Sequence, residues 1–138
     1  MKLPIVLTKD ELHSILLEAF PSTTQLIEAV TDNGVTLRLA VDETHGRPGG
    51  TISGPTIMAM ADCAAWLAIM SRIGPVVLAV TTSLHIDFLR KPQLRDLLCE
   101  AEILKLGARL GIVHVRVHSE GTSELVASAQ VTYSIPPR

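Results

Sequence analysis

From Thr56 to Ser71 the chain has no turn-forming residue, uses alanine and methionine repeatedly, and is apolar around nearly the whole circumference of a helix. A helix with no polar face is buried on most sides. The rest of the chain therefore has to wrap it. Ser53 or Gly54 is placed to cap its start, and Pro55 falls in the first turn, where a missing N–H costs little. The longest apolar stretch within it, Ile57 to Met70, is interrupted by Asp62 and is too short to span a bilayer.

The flanking segments supply the wrapping. Thr8 with Glu11 three residues on forms a capping-box pattern. Leu12, Ile15, Leu16 and Ala19 then recur at helical spacing until Pro21, which predicts a short amphipathic helix along one edge. Two strand-like runs follow, Gln25 to Thr31 and Val35 to Val41. Between them Asp32-Asn33-Gly34 carries the Asn-Gly pair expected of a type I′ hairpin with positive φ. His45 to Pro55, rich in Gly and Pro, predicts a loop. After Gly74-Pro75 come four strand-like runs: Val76 to Leu89, Leu97 to Lys105, Leu110 to Ser119 and Glu124 to Ser134. Helix, two strands, long buried helix and four strands is an α+β order. It predicts one domain over residues 1–138, with helices near 8–20 and 55–72 and a curved antiparallel sheet around the second.

Composition narrows the partners. The chain has 138 residues, enough for one core. Apolar residues make up 47% but aromatics only 3%, so the core is aliphatic. A net charge of -2 argues against nucleic acid as the main partner. Cys63 and Cys99 are too few for a disulfide scaffold and sit in apolar runs, which predicts reduced core thiols. No zinc spacing is present, and no cofactor is expected. Met1 to Thr8 lacks the pattern of a signal peptide. A soluble, cytoplasmic protein with no membrane partner is the expectation.

Asp62 stands out in this apolar setting. Burying a carboxylate without partners is costly, and such residues gather at functional sites. A structural hydrogen bond at solvent or at a subunit interface is the competing explanation. Upstream, Gly49-Gly50-Thr51-Ile52-Ser53-Gly54 supplies glycines that let a backbone N–H approach a ligand. The helix start adds free N–H groups and positive partial charge, which together suit an oxyanion. A loop that only caps the helix is the alternative. Gly54 and Asp62 are eight residues apart, about 12 Å along one helix. A site assembled from two chains removes that obstacle. A six-stranded open sheet also leaves edges that need cover.

These pieces resemble the PaaI-type branch of the hotdog-fold acyl-CoA thioesterases. The resemblance runs from about Asn33 to the C-terminus. It is carried by Gly50-Thr51-Ile52-Ser53-Gly54, Met60-Ala61-Asp62, the run Thr81-Thr82-Ser83-Leu84-His85-Ile86-Asp87-Phe88-Leu89-Arg90, Lys105-Leu106-Gly107-Ala108-Arg109, and Leu125-Val126-Ala127. It implies a hotdog fold and hydrolysis of an acyl-CoA thioester. Asp62 would act as general base or nucleophile. The Gly54 N–H of the opposite subunit would polarise the carbonyl, and Thr81 would help hold water. Thr82, Ser83 and Gly107 belong to the matched segments, and Arg90, Lys91, Lys105 and Arg109 are candidates for the coenzyme A phosphates. A dimer or dimer of dimers is implied. The sequence departs from the pattern where Ser53-Gly54-Pro55 replaces His-Gly-Gly and where Arg47 replaces Asn. Ser53 is then a substitute donor, and Arg47 a positive charge favouring an acyl carboxylate or a phosphate.

Trp66, one turn after Asp62, is a candidate pocket wall, and Met58 and Met70 are expected to help set acyl length. His85, His114 and His118 alternate with apolar strand residues and are expected to face outward, whereas His45 is a possible ligand contact. Two other functions fit the same sequence. One is a binding module that holds acyl-CoA without hydrolysing it. The other is a hydratase or dehydratase, which the Ser at position 53 disfavours.

Overall fold

The computed structural model describes residues 3–138; Met1 and Lys2, the start of the segment judged not to be a leader, lie outside the described residues. Helix α1 (Lys9–Ala19) opens on Thr8 with the capping box in place: Thr8 Oγ1 accepts from the Glu11 N–H at 3.2 Å, and Glu11 Oε1 accepts from the Thr8 N–H at 2.9 Å. Strands β1 (Gln25–Val30) and β2 (Gly34–Leu39) follow. A 3-10 turn at Glu43–His45 leads into two short strands, β3 (Gly46–Arg47) and β4 (Thr51–Ile52). Helix α2 (Gly54–Ile73) comes next. Strands β5 (Val80–Phe88), β6 (Leu97–Leu106), β7 (Leu110–Ser119) and β8 (Leu125–Ser134) complete the chain.

Six strands form one antiparallel sheet in the order β1-β2-β6-β7-β8-β5. Its inward residues follow the two-residue period of strands: Val35, Leu37 and Leu39 on β2, Cys99 and Ala101 on β6, Val113, Val115 and Val117 on β7, and Ala127, Ala129, Val131 and Tyr133 on β8 are all buried. Register shifts interrupt β1, β5, β6 and β8. Bulges of this kind bend and twist a strand, which lets the sheet curl round α2. Ala61, Ala64, Ala65 and Ala68 on the helix are fully buried, and their small side chains let strands approach closely. At 20 residues α2 is longer than expected, and by length and composition it could cross a membrane, contrary to the expectation above. Two-thirds of the apolar stretch is instead buried within the protein.

The β1–β2 hairpin differs from the expected turn. Among the described residues, none other than glycine has a positive φ, and Gly34 is not among the glycines that do. The connection is centred on Asp32-Asn33 and closed by the Thr31 N–H donating to the Gly34 carbonyl at 2.9 Å. Gly34 is needed for space: a Cβ there would sit 1.8 Å from the carbonyl oxygen of Ala101 on β6. Arg72, near the end of α2, secures the hairpin by donating to the carbonyls of Gly34 and Thr31 and to Ser71 Oγ. The run expected to be a strand from Val76 begins only at Val80, because Val76 to Ala79 forms a turn closed by the Ala79 N–H on the Val76 carbonyl at 2.9 Å. The loop expected between His45 and Pro55 contains the β3–β4 pair, with Gly49 and Gly50 at positive φ in its turn.

Candidate active site

Asp62 projects from the middle of α2 and is half-buried. Two hydroxyls converge on one of its oxygens. Thr81 Oγ1, at the start of β5, donates to Oδ1 at 2.6 Å, and the Tyr133 phenol, on the neighbouring strand β8, donates to the same Oδ1 at 2.8 Å. The pairing Thr81↔Tyr133 in the β5–β8 register is what sets the two donors side by side. The Tyr133 oxygen is also 3.1 Å from the Asp62 carbonyl. Burial pushes the Tyr133 phenol well above its ordinary pKa, so it stays a donor at working pH. Among the described residues, no such donor reaches Oδ2 of Asp62.

Asp62, Thr81 and Tyr133 line a cavity of about 870 Å³. Its other walls come from Phe20 and Pro21 after α1, Gln25 on β1, Ala59, Cys63 and Trp66 on α2, and Val77, Ala79 and Val80 before and within β5. The edge strands β1 and β5 both reach it because the sheet curls round α2. Trp66 is one of these wall residues, packed edge-on against Phe20 with ring centroids 5.9 Å apart. Asp62 is the only carboxylate among the lining residues. Cys63 is beside it, but burial and then the Asp62 charge push its thiol up to about 12. That leaves too little thiolate for a nucleophile near neutrality.

The glycine end of α2 is elsewhere in the fold. Ser53 is the N-cap: its Oγ accepts from the Thr56 N–H at 3.3 Å and shares a hydrogen bond of 2.7 Å with Thr56 Oγ1. Its carbonyl accepts from the Ile57 N–H. Pro55 has no N–H, so the Gly54 N–H is the one donor of the first turn that Ser53 does not satisfy. Gly54 lies against Phe88, at the far end of β5 from Thr81. Asp62 and Gly54 of one chain are thus held apart by the straight helix between them.

The structure separates the expected phosphate contacts into two groups. Arg90 and Lys91 follow β5 at the Phe88 end, where Arg90 donates to the Leu125 carbonyl at 2.8 Å and pairs with Glu124. Lys105, Gly107 and Arg109 lie at the opposite end, around the β6–β7 turn; Arg109 Nε donates to the Ile135 carbonyl at 3.3 Å. A ten-residue strand such as β8 spans roughly 30 Å, so one chain does not gather all four. Arg47, exposed on β3, pairs in register with Thr51, which bridges to Gln93, and so stands in the Arg90–Lys91 corner. Thr82 sits at the β5 register shift and donates to the Thr132 carbonyl at 3.3 Å, while Ser83 pairs with Thr132; neither lines the cavity. Met70 is in the core and Met58 is surface-exposed, and neither lines the cavity, contrary to the expectation for acyl length.

Of the histidines, His45 is engaged structurally: its Nδ1 accepts from the Asp42 N–H at 2.9 Å, which leaves Nε2 to donate to Thr24 Oγ1 at 3.4 Å. His114 and His118 bond to Ser128 and to the Thr122 carbonyl on the outer face. Tyr133 was not among the residues expected from sequence. It is the only tyrosine in the chain and falls on the inward period of Val131 and Ile135. A polar-tipped residue at a core position requires a partner, and Asp62 is that partner.

A curved six-stranded sheet round one long helix, with a helix carboxylate on an apolar cavity, defines a hotdog-fold hydrolase. The family model of the thioesterase superfamily matches residues 49–126. The chain belongs to that superfamily, which makes it a thioester hydrolase. A Pseudomonas aeruginosa protein described as an esterase is 32% identical over 99 residues, covering 71% of this chain and 72% of that one. The crystal structure of a Silicibacter protein described as a thioesterase is 40% identical, has a TM-score of 0.89 and covers 99% of this chain and 97% of that one. The zebrafish thioesterase superfamily member 2 is 22% identical, with a TM-score of 0.83 over 94% of this chain and 99% of its own, a likeness of fold.

Proposed function

We propose that this protein hydrolyses acyl-CoA thioesters, in the manner of the PaaI-type branch, with Asp62 as general base or nucleophile. The observation that carries this reading is the pinned carboxylate on an apolar cavity. Two donors fix Oδ1, which leaves Oδ2 to take a proton from water or to attack the thioester carbon. As base, it lets water add to the carbonyl, and the acid forms as coenzyme A leaves with the proton. As nucleophile, it displaces coenzyme A thiolate by breaking the C–S bond and forms an acyl anhydride. Water opens the anhydride to release the acid and restore the Asp62 carboxylate, the proton passing to the thiolate. The Thr81 hydroxyl donates its hydrogen bond to Asp62 Oδ1, so its lone pairs are available to hold the attacking water.

The oxyanion donor in this reading is the Gly54 N–H of the partner subunit. β5 is an edge strand flanked by exposed apolar residues, with Leu78 at 78%, Val80 at 58% and Leu89 at 50% exposure. Unpaired edges of this kind invite pairing. Antiparallel pairing of β5 with its copy about a two-fold axis sets the Phe88 end of one chain beside the Thr81 end of the other. Gly54 of the partner subunit then approaches Asp62. The partner's Arg90, Lys91 and Arg47 approach the end that carries Lys105 and Arg109, where phosphates of coenzyme A would lie. In this arrangement Arg47 serves a phosphate in preference to an acyl carboxylate. Dimers of such dimers remain part of the proposal.

The test is thiol release from a panel of acyl-CoA esters by wild type and Asp62→Ala. Turnover by the wild type and its loss in a variant with unchanged thermal unfolding is the expected result. Binding without thiol release by the wild type would instead identify a non-catalytic acyl-CoA binding module.

A further inference from the structure

Phe20 lines the cavity beside Asp62 and is 53% exposed, so its ring is reachable from the cavity and is not an anchor of the core. Its backbone is nevertheless fixed on both sides. Its N–H donates to the Leu16 carbonyl at 2.8 Å, closing α1, and its carbonyl accepts from the Thr23 N–H at 3.1 Å. Between those bonds Pro21 fixes its own φ. The ring packs edge-on against Trp66, which is only 7% exposed on the buried helix. Trp66 has no room to retreat, and Phe20 can move only by giving up the edge-to-face contact.

The cavity has a direction. Asp62, Thr81 and Tyr133 mark where the reacting carbonyl lies. Trp66 is four residues after Asp62 on the same face of α2, about 6 Å further toward its C-terminus. Val77 and Ala79, from the chain just past that terminus, are also in the wall. An apolar acyl chain leaving Asp62 on this side runs along Trp66 and meets the ring of Phe20.

We propose that Phe20 is the stop that sets the length of acyl chain the cavity accepts. The inference rests on the acyl-CoA reading above. Up to the ring, each methylene exchanges water for apolar wall. Past it, a longer chain has to displace the ring from Trp66 or fold back into water, and gains nothing.

The experiment follows kcat/KM along straight-chain acyl-CoAs from acetyl to hexadecanoyl in wild type, Phe20→Ala, Phe20→Leu and Leu17→Ala. Each methylene buried before the stop should raise kcat/KM about fourfold, and the rise should end at a definite length. That length should increase by about two carbons or more in Phe20→Ala, which vacates the space of the ring, and by less in Phe20→Leu. Leu17, exposed on α1 and absent from the cavity wall, controls for loosening of the helix. Its variant should keep the wild-type limit. A wild type without a limit, an unmoved limit in Phe20→Ala, or an equal shift in Leu17→Ala overturns the proposal.

A second arm needs no turnover. Methyl ketones of the same lengths offer a carbonyl but no leaving group. Trp66 is the only tryptophan in the chain and touches the Phe20 ring, so its fluorescence reports their binding. A length limit that Phe20→Ala extends, with no acyl-CoA cleaved, would sustain Phe20 as the stop and overturn acyl-CoA hydrolysis. Cleavage of acyl-CoAs with one limit shared by wild type and Phe20→Ala would do the reverse. Neither cleavage nor binding would overturn both.

Discussion

The phenol of Tyr133 donates to Oδ1 of Asp62 at 2.8 Å, tying the last inward position of β8 to the middle of α2. Thr81 donates to the same atom. The carboxylate is thus oriented from one side by two strands, and its other oxygen is the one left for chemistry. Preorganisation of this kind holds a catalytic group in productive geometry before substrate arrives.

Tyr133→Phe keeps the ring and deletes the donor. We expect kcat to fall about tenfold with KM changed less than about twofold, and stability to drop by about 1 kcal/mol, the usual value of one net hydrogen bond. Steady-state kinetics and urea denaturation measure the two effects. An unchanged kcat would mean that Thr81 alone orients the carboxylate.

Gly54→Pro tests the shared site. Ser53 has φ −68° and ψ 147°, a conformation compatible with a following proline, and proline is tolerated in the first turn of a helix. The substitution removes the N–H and little else. Homodimers of Gly54→Pro and of Asp62→Asn should both be nearly inactive. Subunits of the two, unfolded together and refolded, should recover about a quarter of wild-type turnover, because half of a random two-fold mixture is heterodimer with one intact site. No recovery would place Gly54 and Asp62 in the same subunit's site, and an active Gly54→Pro homodimer would remove Gly54 from the mechanism.

Gly34→Ala should be severe. The added Cβ would lie 1.8 Å from the Ala101 carbonyl oxygen, and backbone on both sides cannot yield without parting β2 from β6. Overpacking of this kind costs about 3 kcal/mol or more. The urea midpoint measures it. A loss under about 1 kcal/mol would show that the two strands can separate locally.

Alkaline pH should destabilise the fold. Burial raises the Cys63 thiol from 9.0 to about 12, and also raises the Cys99 thiol and the Tyr133 phenol. Each group loses its proton first in the unfolded chain, so the unfolded state binds fewer protons in this window and unfolding becomes more favourable as pH rises. The contribution is complete below about pH 9, the ordinary thiol range, and declines from there toward pH 12. Urea midpoints across that range should fall less steeply in Cys99→Ala than in wild type when each is compared with its own midpoint at pH 8.

Much of the architecture was legible in the sequence because it depends on local periodicity. The capping box at Thr8 and Glu11, the span of β7 and the all-round apolar character of α2 each follow from a few neighbouring residues. The thioesterase resemblance rested on the same kind of information, and the superfamily match bears it out at that level. What was misjudged depends on distant contacts. Asn33-Gly34 carries a strong turn signal, but Gly34 is there because β6 passes too close for a Cβ. Met70 has a cavity-filling composition, yet it points into the core.

Asp62 shows where the boundary falls. The sequence by itself determined that a carboxylate would sit mid-way along a buried helix, because helical spacing and apolar neighbours are properties of the chain. Only the tertiary structure decided its partners. Thr81 and Tyr133 are remote from it in sequence, and they meet it because the β5–β8 register places them opposite one another over one turn of α2. Gln25 came to the same cavity by the curling of the sheet, which depends on bulges and inter-strand packing. Those are long-range properties, and no local pattern of residues encodes them.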